Sequence, residues 1–290
     1  MERLEAFTQH RPLLFSIAYR MLGSAMDAED LVQEAFIRWQ ATSDAEVLSP
    51  KAYLTTILTR LCIDQLRSAR AQRETYIGPW LPEPIMTDPT PGPADSAALA
   101  ESLSLAFLTL LESLSPIERA AFLLREVFDY EYAEIAEIVG KSETNCRQRV
   151  SRAKAHLAER RPRFRPTSEQ HGKMLWQFGQ ALTNGDLPGL IALLTDDIVS
   201  YSDGGGKVSA ATHPVYGPAK VARLYLGLMQ KTPPGLTYIP GHANGQPVII
   251  SYLDGKLFNV LALDLAPDGR ICGIYNVLNP DKLRHLSAAA

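Results

Sequence analysis

A chain of 290 residues with 46 % hydrophobic and 21 % charged residues has room for several domains and the balance of a folded protein, which excludes a disordered charged tail. No apolar run approaches the roughly 18 residues of a membrane span, and the N-terminus MERLEAFTQH lacks a basic-then-apolar leader pattern, so a cytoplasmic location is expected. The formal charge of −3 means little until it is resolved by position, because residues 141–165 carry nine Lys and Arg against two acids.

From the N-terminus, Phe7, Leu13, Leu14, Ile17, Ala18, Met21 and Leu22 recur at helical spacing and predict a helix over about residues 3–22, broken at Gly23-Ser24. Ser24 or Asp27 caps a second helix with Ala28, Leu31, Val32, Ala35, Phe36 and Trp39 inward. Its outer side shows Asp27, Glu29, Asp30, Gln33 and Glu34. Pro50 opens a third helix at a position that needs no backbone N–H, and its far end turns basic with Arg60, Arg67, Arg70 and Arg73. Taken alone, the acidic side is a solubilising face more readily than a docking site, and a basic helix end suits the helix dipole.

Residues 76–98 are rich in proline and cannot form a regular element, which predicts an interdomain linker. Trp80-Leu81 within it is a large apolar pair that a passive tether does not need; it either docks locally or carries a regulatory contact. A helix over Leu99–Leu114 and another from Ile117 to Phe128, started by Ser115-Pro116, lead into the stretch with the most information.

Residues 126–140 hold five acids and no base, and the charge then changes sign at Gly140-Lys141-Ser142. Ile135, Ala136 and Val139 give the acidic helix its apolar stripe. Gly140 can end it in a left-handed conformation, and Ser142 is a good N-cap for the next. Cys146, Val150, Ala153 and Leu157 form one buried face of that second helix. Such a pair is the pattern of a helix-turn-helix, with a solvated helical hairpin as the plainer alternative. In a major groove, Glu143, Thr144, Arg147 and Gln148 lie nearest base edges, Arg149, Arg152 and Lys154 more readily meet phosphates, and Ser151 shares the outer face. Cys62, Cys146 and Cys272 are far apart and have no zinc spacing; no metal or other cofactor is expected.

Beyond the basic segment, helices are predicted over 169–182, 187–194 and 218–230, with strands at 198–202, 236–242, 247–252, 256–264 and 271–277. Three helices and a curled antiparallel sheet make an α+β cone. Its candidate polar groups are Asp197, Tyr201, Asp203, His213, Tyr216 and Asn259, which could serve acid–base chemistry if they faced a common cavity. Gly204, Gly205 and Gly206 lack phosphate-loop spacing and more simply allow a tight backbone path.

Three stretches in this order resemble a known family: DAEDLVQEAFIRW at Asp27–Trp39, AYLTTILTRLCIDQLRSARAQRE at Ala52–Glu74, and Leu114-Ser115-Pro116-Ile117-Glu118-Arg119 followed by the helix-turn-helix. The chain resembles an extracytoplasmic-function sigma factor of the sigma-70 family, in the subgroup with a fused C-terminal SnoaL-like domain. The subgroup markers are WLPEP (Trp80, Leu81, Pro82, Glu83, Pro84), DGGGK (Asp203, Gly204, Gly205, Gly206, Lys207) and NPDKL (Asn279, Pro280, Asp281, Lys282, Leu283).

The resemblance implies a multidomain chain. Its parts are a sigma domain over 1–75, the linker over 76–98, a second sigma domain over 99–162, the SnoaL-like domain over 168–283, and a tail over 284–290. It implies that Asp27, Glu29, Asp30, Gln33 and Glu34 dock on core RNA polymerase. Arg60, Asp64 and Arg67 would approach the −10 element of promoter DNA, and residues 143–154 would read the −35 element. Family members commonly have Asn where this chain has Arg60 and Trp where it has Tyr53. The three markers would regulate promoter binding from within the chain, with the tail packed on the sigma domains and no dedicated anti-sigma factor. A ligand-responsive DNA-binding regulator, or a small-molecule enzyme or ligand site in the cone, remains the alternative; the sign of regulation stays open.

Overall fold

The computed structural model describes residues 2–42, 47, 49–73, 75–88, 102–160 and 166–287. Contacts divide the chain into two compact units, one of Met1–Thr75 with Leu110–Arg161 and one of Tyr76–Thr109 with Pro162–Ala290.

The first unit is all helical. Helices α1 (Glu2–Leu22), α2 (Ala25–Gln40) and α3 (Pro50–Arg73) pack through Leu14, Ile17, Val32, Ala35, Leu54 and Leu58, all nearly inaccessible. Ser24, rather than Asp27, caps α2 by accepting from the Asp27 N–H. After α4 (Leu105–Leu111), α5 (Pro116–Glu126) starts with a reciprocal capping box between Ser115 and Glu118. The helix-turn-helix is α6 (Tyr132–Val139) and α7 (Glu143–Arg160), separated at Gly140 with φ 65°. Cys146, Val150, Ala153 and Leu157 are buried as their spacing requires, but the inward residues of α6 are Ile135 and Ile138, with Ala136 and Val139 half-buried.

The two helical modules expected to be separate domains form one unit. Arg119, buried on α5, donates to the Met21 carbonyl at 2.7 Å and to Glu112 at 2.7 Å. The Thr55 and Tyr130 hydroxyls are 3.0 Å apart. Main-chain carbonyls at a helix end, short of partners, explain part of this joining: the Arg60 guanidinium donates to the carbonyls of Glu137 and Ile138 where α6 ends.

In the second unit, α8 (Ser168–Thr183), α9 (Leu187–Leu193) and α10 (Pro218–Gln230) cover one face of a sheet. Its strands are β1 (Leu194–Asp203), β2 (Val215–Tyr216), β3 (Leu236–Ala243), β4 (Gln246–Leu253), β5 (Lys256–Leu265) and β6 (Ile271–Val277). Among the described residues the order is β2-β1-β6-β5-β4-β3. The sheet is mixed rather than antiparallel, because β1 pairs with β6 in parallel. A long connection through α10 and the meander β3–β6 brings the last strand back beside the first, an arrangement hairpins alone cannot make.

Alternation along β5 sends Leu261, Leu263 and Leu265 to the helical side and Val260 and Ala262 to the other. That second face is closed by residues from outside the cone: Leu81, Leu105 and Ala106 lie there beside Tyr275, Val277 and Leu283. The described part of the proline-rich linker therefore belongs to a hydrophobic core, and α4 is shorter than the expected Leu99–Leu114 helix. Residues 89–98 of that linker and 288–290 of the expected tail lie outside the described residues. The tail boundary at 283 falls inside a further helix, α11 (Pro280–Ser287).

Candidate functional site

On α2, Met26, Asp30, Gln33 and Ile37 are exposed, and their spacing places them on one stripe. Met26 and Ile37 are 51 % and 59 % accessible, so two apolar residues flank the acidic group. Sequence reasoning missed both, although their positions on the outer side of the helical pattern were visible. Glu29 pairs with Arg11 at 2.5 Å and Glu34 with Arg38 at 2.7 Å; Asp27 is half-buried.

On α3, Asp64 and Arg67 are exposed and paired at 3.0 Å, while Arg60 reaches α6 as described above. On α7, Glu143, Thr144, Arg147, Gln148, Ser151, Arg152 and Lys154 are all exposed. Arg147 pairs with Glu143 at 3.1 Å and sits over the Tyr132 ring at 4.4 Å. Arg149 differs. It is half-buried, bonds Asn145 at 2.7 Å and lies 3.9 Å from Glu118, so it braces α7 against α5. Lys154 pairs with Glu126 at 2.8 Å.

The three short markers meet in the second unit. Asp203 ends β1 with no accessible surface. One of its oxygens accepts from the Tyr76 hydroxyl at 2.5 Å, and the other accepts from the Leu81 N–H at 2.8 Å and from Lys282 Nζ at 2.7 Å. Lys282 also donates to the Leu81 carbonyl and lies over the Trp80 ring at 4.0 Å. An acid and a base thus hold both main-chain groups of Leu81, whose side chain is fully buried. The Tyr76 pKa is pushed well above its ordinary value, first by burial and then by the hydrogen bond and charge of Asp203, so the hydroxyl remains a donor.

Asn279 donates to the Tyr76 hydroxyl at 2.9 Å and accepts from the Asp281 N–H at 3.1 Å, which starts α11. Lys207 pairs with Asp281, and the Lys207 hydrogen bond lowers the Asp281 pKa. The glycines fit the same junction: Gly205 and Gly206 have φ of 58° and 71°, and a Cβ there would collide with Asn279 and Ile77. Pro82, Glu83 and Pro84 are buried, and the Pro84 carbonyl contacts His285 at 2.8 Å. Within this unit NPDKL packs on the Tyr76–Leu81 segment.

The polar groups proposed for the cone do not converge. Asp197, His213 and Tyr216 are exposed, Tyr201 stacks on Tyr275 at 5.4 Å, and Asn259 bonds Asn276 at 2.5 Å. Phe178, Leu190, Ile198, Val221 and Tyr225 instead form a hydrophobic core between the helices and the sheet. Among the described residues no cluster of His, Cys, Asp and Glu could hold a metal ion, and no helix is long and apolar enough to cross a membrane.

Residues 6–72 match the family model described as Sigma-70 region 2, and residues 104–157 match Sigma-70, region 4. The ECF RNA polymerase sigma factor SigJ of Mycobacterium tuberculosis is 37 % identical, over 97 % of this chain and 92 % of its own length. The probable ECF RNA polymerase sigma factor SigI of the same species is 30 % identical, over 98 % and 95 %. The crystal structure of M. tuberculosis SigJ is similar with a TM-score of 0.75 at 34 % identity, covering 98 % of both chains.

Proposed function

The chain belongs to the extracytoplasmic-function RNA polymerase sigma factors of the sigma-70 family and serves transcription initiation, and from that membership we propose that its α+β SnoaL-like unit governs promoter engagement from within the chain. Sigma factors bind core RNA polymerase and promoter DNA. The observation that carries the regulatory reading is the Asp203 junction, where the cone holds the segment leaving the first module by its backbone at Leu81. Control of that segment controls how two modules on one chain reach two DNA boxes. In this reading the cone is regulatory rather than enzymatic, no separate anti-sigma factor is needed, and the protein works in the cytoplasm beside polymerase. Truncation after residue 165 and after residue 278, followed by runoff transcription with core polymerase, tests it. Unchanged activity in both proteins defeats it.

The α2 stripe is the proposed polymerase contact, with Met26 and Ile37 as apolar anchors beside Asp27, Glu29, Asp30, Gln33 and Glu34. Asp30→Lys with Glu34→Lys is expected to weaken co-purification with core polymerase by on the order of tenfold or more while leaving the circular dichroism unchanged. Retained association would remove α2 as the docking face. Promoter DNA is assigned to Arg60, Asp64 and Arg67 for the −10 element and to the exposed side of α7 for the −35 element. Arg147→Ala and Gln148→Ala are each expected to relax base preference by about 1–3 kcal/mol at one −35 position, measured by binding to a promoter panel. Because Arg149 braces α5, its substitution should lower the stability of the helix-turn-helix rather than act only through phosphates.

A further inference from the structure

The turn between β3 and β4 holds a residue that neither the family pattern nor the short markers single out. Asn244 sits there with φ 54°, and it is 1 % accessible, although a turn asparagine ordinarily faces water. Its side-chain oxygen accepts from the Ile85 N–H at 3.0 Å, and its side-chain nitrogen donates to the Leu103 carbonyl at 2.9 Å. Its own N–H donates to the Ile85 carbonyl at 2.9 Å. Around it, Met86 bridges to Ala243, the Thr87 N–H donates to the His242 carbonyl at 3.1 Å, and the Gly245 N–H donates to the Thr87 hydroxyl at 3.1 Å. The segment 85–87 thus adds to the free edge of β3, which is a known way for a sheet to capture a peptide.

Ile85 lies on the side where the chain leaves the first module, and Leu103 on the side where it approaches the second. Fully extended, the chain between them would span about 60 Å. One amide holds both. Only a primary amide presents an acceptor and a donor in one short planar group, and a glycine or aspartate at this position keeps the left-handed backbone while losing one or both bonds.

We infer that Asn244 is a positioning residue that closes the intermodule connection into a loop, so that, once promoter DNA draws the two joined modules apart, their reach is set by the cone and not by the number of residues between Asp88 and Ser102. It rests on the reading that the cone governs promoter engagement, and it adds the element that couples the cone to both ends of the tether. Leu81 and Leu105 pack in the same apolar layer, one on each arm, and the amide between them fixes where the arms meet.

The test uses the full-length protein with core RNA polymerase on a promoter recovered by runoff selection. Twenty Gly and Ser residues are inserted between Asp88 and Ser102, in wild type and in Asn244→Gly. With the loop closed, the insertion leaves wild-type transcription unchanged. With the amide gone, the longer tether lowers the effective concentration of the second module, and activity falls about threefold by the −3/2 power of tether length. Hydrogen exchange at the Ile85 amide checks that the variant has lost the contact, and Asn244→Asp, which keeps the Ile85 acceptor but loses the Leu103 donor, replaces Asn244→Gly if that protein does not fold. An equal loss in both backgrounds, or no loss in either despite a deprotected Ile85 amide, overturns the inference. Failure of the cone's regulatory role reads out separately, as unchanged transcription on truncation after residue 165.

Discussion

Asp203→Ala is expected to destabilise the C-terminal unit by about 3–5 kcal/mol and to free the Tyr76–Leu81 segment, because it leaves Lys282 buried without its counter-charge. The carboxylate also accepts from two further donors, the Tyr76 hydroxyl and the Leu81 N–H, which lose their partner together. Desolvating a charged pair is costly, so the pair by itself is weak evidence of stability; breaking it from one side is the severe event. Asp203→Leu with Lys282→Met should therefore recover part of the loss without restoring the hold on Leu81. Thermal unfolding of the C-terminal transition and hydrogen exchange at the Leu81 amide separate the two effects. A Leu81 amide that stays protected in Asp203→Ala would show that the apolar layer of Val248, Ile250 and Val277 holds the segment without the charges.

Arg119→Met is expected to cost the helical unit about 3 kcal/mol and to loosen the joint between the two sigma modules. Burial lowers the guanidinium pKa to about 9, still above neutral pH, so the group is charged where the protein works. One guanidinium nitrogen, Nη1, donates both to the Met21 carbonyl on the first module and to Glu112 near the start of the second. Arg119→Lys, whose ammonium carries several donors on one nitrogen, should consequently rescue part of the loss, limited by its shorter reach. The expected signature is a lower melting temperature with faster hydrogen exchange in α5 and α6. If Arg119→Met melts like wild type, the joint is carried by Arg60 and the Thr55–Tyr130 contact instead.

Local order was legible from residue pattern because its causes are local. The capping of α5 by Ser115, the break at Gly140, the Cys146–Leu157 stripe and the strands β3 to β6 each follow from side chains within a few positions of one another. The family resemblance likewise pointed to WLPEP, DGGGK and NPDKL as special, but not to their mutual contacts. Met26 and Ile37 depart visibly from the apolar stripe of α2, but isolated apolar residues on a surface are common, and only their exposure in the folded unit singled them out.

The amino-acid sequence by itself determined two helical modules, a helix-turn-helix and an α+β C-terminal half, since helix and strand periodicity are written in neighbouring residues. Only the tertiary structure decided that the modules share one unit, that β1 runs parallel to β6, and that residues 76–88 of the proline-rich segment lie on the cone. Those outcomes depend on partners far apart in the chain: Lys282 and Asp203 are separated by 79 positions, Leu81 and Asp203 by 122, and Asn244 and Leu103 by 141. A buried acid meets its base, and a buried amide its two backbone partners, only where the folded chain brings distant segments together. Nothing in the spacing of residues along the chain encodes that meeting.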